Sequence, residues 1–275
     1  VLVAYLIMLR EGIEASLIVG IVASYLTQSG RGRWMPMVWL GVGIACALCL
    51  AIGFALKAAS AEFPQRQQEF FEGVVAIVAT VILTSMVFWM KKAARSIKGQ
   101  LHDSIDDALR PGDRQGIALV AMVFFAVARE GLESVFFLLA IVQQSDGLAV
   151  PTGAFLGLVS AVGVGLAIYY FGVKLDLRRF FRWTGVFIVF VAAGLLAGAL
   201  RAFHEAGVWN GLQGTAFDIS AFLPQDSVVG TLLAGLFGYQ EAPTAGEVIV
   251  YFAFLAPALA LFWTSPRAAP APRAA

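Results

Sequence analysis

Long apolar stretches separated by short polar breaks run the length of the chain. A helix needs about 20 largely apolar residues to cross the hydrocarbon core of a bilayer. Seven stretches reach that length: roughly residues 2–27, 35–57, 70–90, 116–142, 151–173, 182–201 and 246–264. The polar breaks supply the connections. Arg31-Gly32-Arg33 turns the first span into the second, and 58–69, with Pro64, turns the second into the third. The longest break, 91–115, carries Lys91, Lys92, Arg95, Lys98, Arg110 and Arg114, and its Asp103, Asp106 and Asp107 predict a short surface helix. Gln143–Val150 and Lys174–Arg182 predict turns. Segment 202–245 is long and glycine-rich, and its 226–238 part predicts a short amphipathic or re-entrant helix. The tail, 266–275, is rich in Pro and Ala and is expected to be disordered. The pattern predicts an all-α polytopic membrane protein with seven transmembrane helices in a single domain, 1–265.

Two of these runs contain charges that a bilayer penalises. Arg10-Glu11-Gly12-Ile13-Glu14 lies within the first span, and Arg129-Glu130-Gly131-Leu132-Glu133 lies within the fourth. One ionisable group at the bilayer centre costs about 2.5–3.5 kcal/mol on insertion scales. Two copies of so expensive a pentapeptide predict an intramembrane site built from both. Two spans intervene, so the carriers run antiparallel. The chain then reads as two inverted three-helix repeats, about 1–92 and 116–201, an outer loop 202–245 and a seventh helix 246–264. Phe70-Phe71-Glu72 against Phe180-Phe181-Arg182 hints at the same repeat. Inverted repeats place substrate near the midplane, at the repeat interface.

Residues three or four apart share a helix face, which makes neighbours of Glu11 and Glu14, and of Glu130 and Glu133. Where the two helices cross, four carboxylates meet Arg10 and Arg129. Uncompensated buried carboxylates hold protons, and a bound cation replaces them. Carboxylate oxygen is a hard donor that suits Mg, Ca, Mn or iron. Cation binding then displaces protons and links transport to pH. The arginines can hold carboxylates in register through forked hydrogen bonds, and each motif glycine admits a close neighbour. A plainer reading makes Arg10–Glu14 and Arg129–Glu133 intramembrane salt bridges that lock the two spans. It leaves Glu11 and Glu130 without a reason.

Composition narrows the picture. The chain is 60% hydrophobic and 13% charged with net charge +1, and its mean hydropathy is +0.82. Soluble domains are nearer 25% charged, and no basic footprint for nucleic acid is present. The first apolar run has no basic start and carries the Arg-Glu motif, so it is expected to be a span and not a cleaved signal. Cys46 and Cys49 lie among Ala, Gly and Leu and are expected to be packing residues. Lys and Arg concentrate in the 1–2, 3–4 and 5–6 connections and the tail, whereas the opposite loops hold Lys57, Arg66 and Arg201. The positive-inside rule puts the N-terminus outside and the C-terminus in the cytoplasm. Outer acids, Glu62, Glu69, Asp146, Glu205, Asp218, Asp226 and Glu241, with Glu72 at the outer end of the third span, would concentrate cations; the plainer reading makes them ordinary solvated loop acids. Of these, Glu69, Glu72, Glu205 and Asp218, with His204, are the candidate outer access residues. His102 is expected to be solvated, Met86 and Met90 to be packing, and Trp34, Trp39, Trp89, Trp183 and Trp263 to form an interfacial belt. Glu247 and Tyr251 face either a cavity or the lipid interface. A permease for another hard divalent metal remains an alternative. A glutamate-dependent hydrolase is disfavoured because neither His is mid-span.

The doubled Arg-Glu-Gly-[Ile/Leu]-Glu motif resembles the paired motifs of the oxidase-dependent iron transporters, which include the fungal high-affinity iron permeases and bacterial relatives. Phe71-Glu72-Gly73, Trp89-Met90-Lys91, Leu236-Phe237-Gly238-Tyr239 and the Pro243, Glu247, Tyr251 pattern are similar too. Ile13 replaces the usual Leu and keeps its apolar size. The resemblance covers nearly the whole chain. It implies a transporter and not an enzyme: seven helices with the N-terminus outside, in the bacterial cytoplasmic (inner) membrane. It implies transported iron, Fe(II) or Fe(III), and no permanently bound cofactor. It assigns metal binding to Glu11, Glu14, Glu130 and Glu133, with Arg10 and Arg129 in support. A periplasmic iron-binding protein and a haem peroxidase are the implied partners.

Overall fold

The computed structural model describes residues 1–275 except 62, 94–96, 110–114, 144–148, 172–176, 226 and 265–275. Among the described residues there are nine α-helices and no β-strand: α1 (Leu2–Gln28), α2 (Met35–Ala61), α3 (Gln65–Ala93), α4 (Ile97–Ala108), α5 (Gln115–Gln143), α6 (Ala149–Phe171), α7 (Leu177–Glu205), α8 (Val228–Phe237) and α9 (Ala245–Thr264). Five are long and apolar enough to cross a membrane: α2, α3, α6, α7 and α9. The other two long helices, α1 and α5, have their apolar runs interrupted by the charges of the two motifs.

Large apolar side chains cover the outside of the bundle, among them Phe54, Val81, Phe125, Phe155, Trp183 and Trp263. A hydrocarbon surround leaves such residues no reason to turn inward. Small residues set the helix pairings instead. Helix α1 packs chiefly on α6, α5 on α2, and α3 on α7, and α1 and α5 meet along the centre. Gly41 of α2 lies under the Val120 carbonyl, where a Cβ would come within 2.8 Å of the oxygen, and Gly153 of α6 lies under the Val1 carbonyl in the same way. Further along, Gly131 meets Cys49 and Gly53 meets Val135, while Gly12 meets Ala161 and Gly165 meets Ser16.

One apolar core joins α3, α7 and α9 to the N-terminal part of α1 and the C-terminal part of α5. A second joins the rest of α1, α2 and α5 to Ile105 and Leu109 at the end of α4. The Asp106 carboxylate on α4 accepts from Tyr25 Oη at 2.7 Å and from Arg31 Nη1 at 2.7 Å, which docks α4 to the end of α1. The short helix expected within 226–238 is α8, capped by Ser227 Oγ and ended by Gly238 in the left-handed conformation. Gly238 abuts Gly194 in the middle of α7.

Helices α2, α3 and α7 overrun the apolar windows, the last two with acidic residues. Helix α3 starts at Gln65, which places Glu69 on the helix, and α7 runs to Glu205, which takes in His204 and Glu205. Backbone hydrogen bonding continues past the point where hydropathy falls, and Arg66 Nε ties the two ends together by donating to the Ala206 carbonyl at 2.8 Å. Of the turns expected at 143–150 and 174–182, residues 149–150 belong to α6 and 177–182 to α7; 144–148, 172–176, the tail, Glu62, Asp146, Asp226 and the side chains of Met90 and His102 lie outside the described residues.

Candidate metal centre

The pentapeptides occupy the middle of α1 and of α5. Helical spacing turns Glu11, Glu14, Glu130 and Glu133 toward the α1–α5 contact, and turns the motif glycines elsewhere: Gly12 to α6 and Gly131 to α2. The glycines therefore serve helix packing and do not open the site to a ligand. A Cβ on Gly12 would lie 2.5 Å from Ala161 Cβ, and one on Gly131 would lie 2.6 Å from Cys49 Sγ. Cys49 is a packing residue, as expected.

Glu11, Glu14 and Glu130 each place a carboxylate oxygen so that the three lie within 4.8 Å of one another, and all three residues are buried. Among the described residues no other group of three or more His, Cys, Asp or Glu does this. Glu133 stands one turn along α5, its Oε1 at 3.1 Å from Arg129 Nε. Each arginine pairs with acids of its own helix. Arg10 Nε is 3.3 Å from Glu14 Oε1, and Arg10 Nη1 is 3.5 Å from Glu11 Oε1. Arg129 Nε is also 3.9 Å from Glu130 Oε1. These ion pairs lie within a helix, so they do not lock α1 to α5. Every motif glutamate retains one buried oxygen without a hydrogen-bond partner among the described residues: Glu11 Oε2, Glu14 Oε1, Glu130 Oε2 and Glu133 Oε2.

Helix α3 closes the site from the side with two residues that hydropathy places in the core and the aromatic belt. Arg10 Nη1 donates to Met86 Sδ at 3.3 Å, and the Arg129 guanidinium lies over the Trp89 ring at 4.3 Å. Met86 and Trp89 are three apart and share a face, but nothing in the sequence says which helix that face meets. Glu247, left open between cavity and lipid, is buried and holds Arg201 in a two-pronged pair, Nη2–Oε2 2.6 Å and Nε–Oε1 3.4 Å. The Thr244 hydroxyl accepts from the Glu247 amide and donates to Glu247 Oε1, which caps the start of α9.

The outer candidates form no comparable cluster. Glu69 adjoins Glu205 and Glu72 at the start of α3. His204 Nε2 donates to the Gly211 carbonyl at 3.1 Å, an acceptor it shares with Trp209 Nε1. Asp218 is exposed, and the Ser220 hydroxyl and amide, donating at 2.6 and 3.0 Å, hold its carboxyl below the usual carboxylate range.

Comparison with known proteins adds to this geometry. The ferrous iron permease EfeU of Yersinia pestis is 61% identical over 265 residues, 96% of this chain and 94% of that protein. Its namesake in Escherichia coli O6:H1 is 58% identical over 266 residues, 97% of this chain and 96% of that protein. Both relatives are named as permeases, which are transporters. No solved structure matches. The model of the iron permease FTR1 family matches residues 1–270, and the chain, with its two Arg-Glu-Gly-x-Glu helices, belongs to that family.

Proposed function

We propose that this protein carries iron across the bacterial cytoplasmic membrane, and that Glu11, Glu14, Glu130 and Glu133 form the transport site near the midplane. The observation that carries the reading is the set of four buried carboxylate oxygens without a hydrogen bond, one per motif glutamate, of which Glu14 Oε1 alone has an arginine nitrogen within ion-pair reach among the described residues. A buried polar atom left without a partner costs about 1–3 kcal/mol, more when charged. Three at one helix crossing, with Glu14 Oε1 beside Arg10, describe a seat for a cation that takes oxygen donors. Hard-donor chemistry fits iron, and the relatives' name points to Fe(II) as the form carried. Arg10 and Arg129 offset part of the acidic charge and keep the cation from binding irreversibly. Protons occupy the seat when the cation leaves, which couples uptake to pH.

The inverted repeat is supported by the packing. Relative to their motifs, Val1, Gly12 and Ser16 on α1 stand where Val120, Gly131 and Val135 stand on α5. Their partners Gly153, Ala161 and Gly165 on α6 have the mutual spacing of Gly41, Cys49 and Gly53 on α2. Exchanging the halves maps one set of contacts on the other. We take α1, α2, α3, α5, α6, α7 and α9 as the seven spans, with the N-terminus outside. The implied periplasmic iron-binding protein and haem peroxidase would then deliver iron at the loop between α7 and α9.

The test is iron uptake by the purified chain in liposomes, with Fe(II) and Fe(III) and an imposed pH gradient. Uptake of iron, accelerated by the gradient and abolished by Glu14→Ala and by Glu130→Ala, is expected. Normal uptake by both variants would overturn the site, and uptake of other divalent metals in preference to iron would favour a different cargo.

A further inference from the structure

The two motif arginines are equivalent in sequence and different in place. Arg10 is 1% exposed, enclosed by Glu11, Glu14 and Met86, whereas the Arg129 side chain is 46% exposed. Arg129 therefore marks the open edge of the carboxylate cluster. Its Nε reaches Glu133 at 3.1 Å and Glu130 at 3.9 Å, and its remaining face lies on the Trp89 indole at 4.3 Å. A guanidinium beside two carboxylates ordinarily takes forked, two-pronged pairing. Here it does not, since Glu130 Oε2 and Glu133 Oε2 are left without partners. The indole supplies the competing attraction.

We infer that Trp89 is a positioning residue for transport: it holds the Arg129 guanidinium at the edge of the site, so that Glu130 and Glu133 each keep an oxygen for the cargo. The inference rests on the site proposed above. Met86, one turn earlier on the same face of α3, holds the Arg10 guanidinium through its sulfur. Helix α3 thus governs both guanidiniums without touching the cargo. Without the indole, Arg129 settles onto the two free oxygens and competes with the cation. The strength of a cation–π contact translates into a roughly 2- to 30-fold loss of cation affinity. An interfacial anchor, the ordinary role of such a Trp, would carry no such dependence on Arg129.

Equilibrium binding of Mn(II), a redox-stable probe for a divalent hard-donor site, to the purified full chain in detergent tests this. Trp89→Leu is expected to weaken binding roughly 2- to 30-fold, and Trp89→Phe, which keeps a π face, to stay within about twofold of the parent. In an Arg129→Gln background, Trp89→Leu is expected to change nothing further. Parental affinity in Trp89→Leu, or the same loss with Arg129 absent, overturns the inference. Should Arg129→Gln bind too weakly to titrate, the Phe variant decides: affinity as poor as that of Trp89→Leu overturns the inference, and recovery supports it. Glu14→Gln and Glu130→Gln in the same assay report on the site itself. Unchanged binding there overturns the site, whereas weakened binding there beside a normal Trp89→Leu overturns this inference alone.

Discussion

At the scale of single residues, the four glutamates are not equivalent. Glu11, Glu14 and Glu130 bring oxygens within 4.8 Å of one another, and Glu133 is engaged by Arg129. Replacing Glu133 by Gln is therefore expected to act as the loss of an outer partner, about 10- to 100-fold in cation affinity, and Gln at any of the other three to cost more. Binding isotherms of the four single variants check the order, and a Glu133 variant worse than the rest would show that the grouping is wrong. The identities of these residues were legible in the sequence because charge inside an apolar run demands a purpose. Their ranking was not. Helical periodicity says which side chains share a face, but not how far α1 and α5 are rotated about their contact. The same limit hid Met86 and Trp89, whose composition fits core and belt and whose role depends on the neighbour they meet.

Among the helices, close approach is controlled by glycine, and the consequences differ with what lies opposite. A Cβ at position 131 meets the Cys49 thiol at 2.6 Å and Cys49 Cβ at 3.3 Å. Gly131→Ala is expected to cost about 1–3 kcal/mol by overpacking, and Cys49→Ala added to it to restore most of the loss by removing the sulfur. Gly41→Ala meets the Val120 carbonyl oxygen at 2.8 Å, a backbone atom that no side-chain change removes. Thermal unfolding in detergent should rank the double variant above Gly131→Ala and leave Gly41→Ala without rescue. Equal melting of all three would mean that the α2–α5 contact is looser than described. The α7–α9 tie behaves differently. Glu247→Gln removes the charge from a two-pronged pair whose Arg201 side chain is 34% exposed. Water at Arg201 moderates the cost of a broken buried pair, so a loss of about 1–3 kcal/mol is expected, again by melting. Hydropathy located these helices well because lipid makes the apolar requirement strict. It missed the ends of α3 and α7, where the helices run on through Glu69 and Glu205, which meet each other.

For the molecule as a whole, sidedness decides what the open edge at Arg129 is for. Trp89 lies toward the end of α3 that leads into the basic segment before α4, and α4 is docked to the end of α1 through Asp106. If positive charge marks the cytoplasm, that edge faces the cytoplasm and Arg129 stands between the carboxylates and the exit. The α3–α7 contact is close-packed: Ala76, Ala79, Thr80 and Leu83 are buried and Thr80 Oγ1 reaches the Ala192 carbonyl at 3.3 Å. Two exposed positions report orientation without touching the site: Asp103 on α4 and Gln213 between α7 and α9. In a chain freed of its cysteines by Cys46→Ala and Cys49→Ala, Asp103→Cys is expected to react with a membrane-impermeant maleimide only in inverted vesicles, and Gln213→Cys only in right-side-out ones. The opposite pattern would turn the Arg129–Trp89 edge outward, and the guanidinium would then meet iron on its way in instead of on its way out.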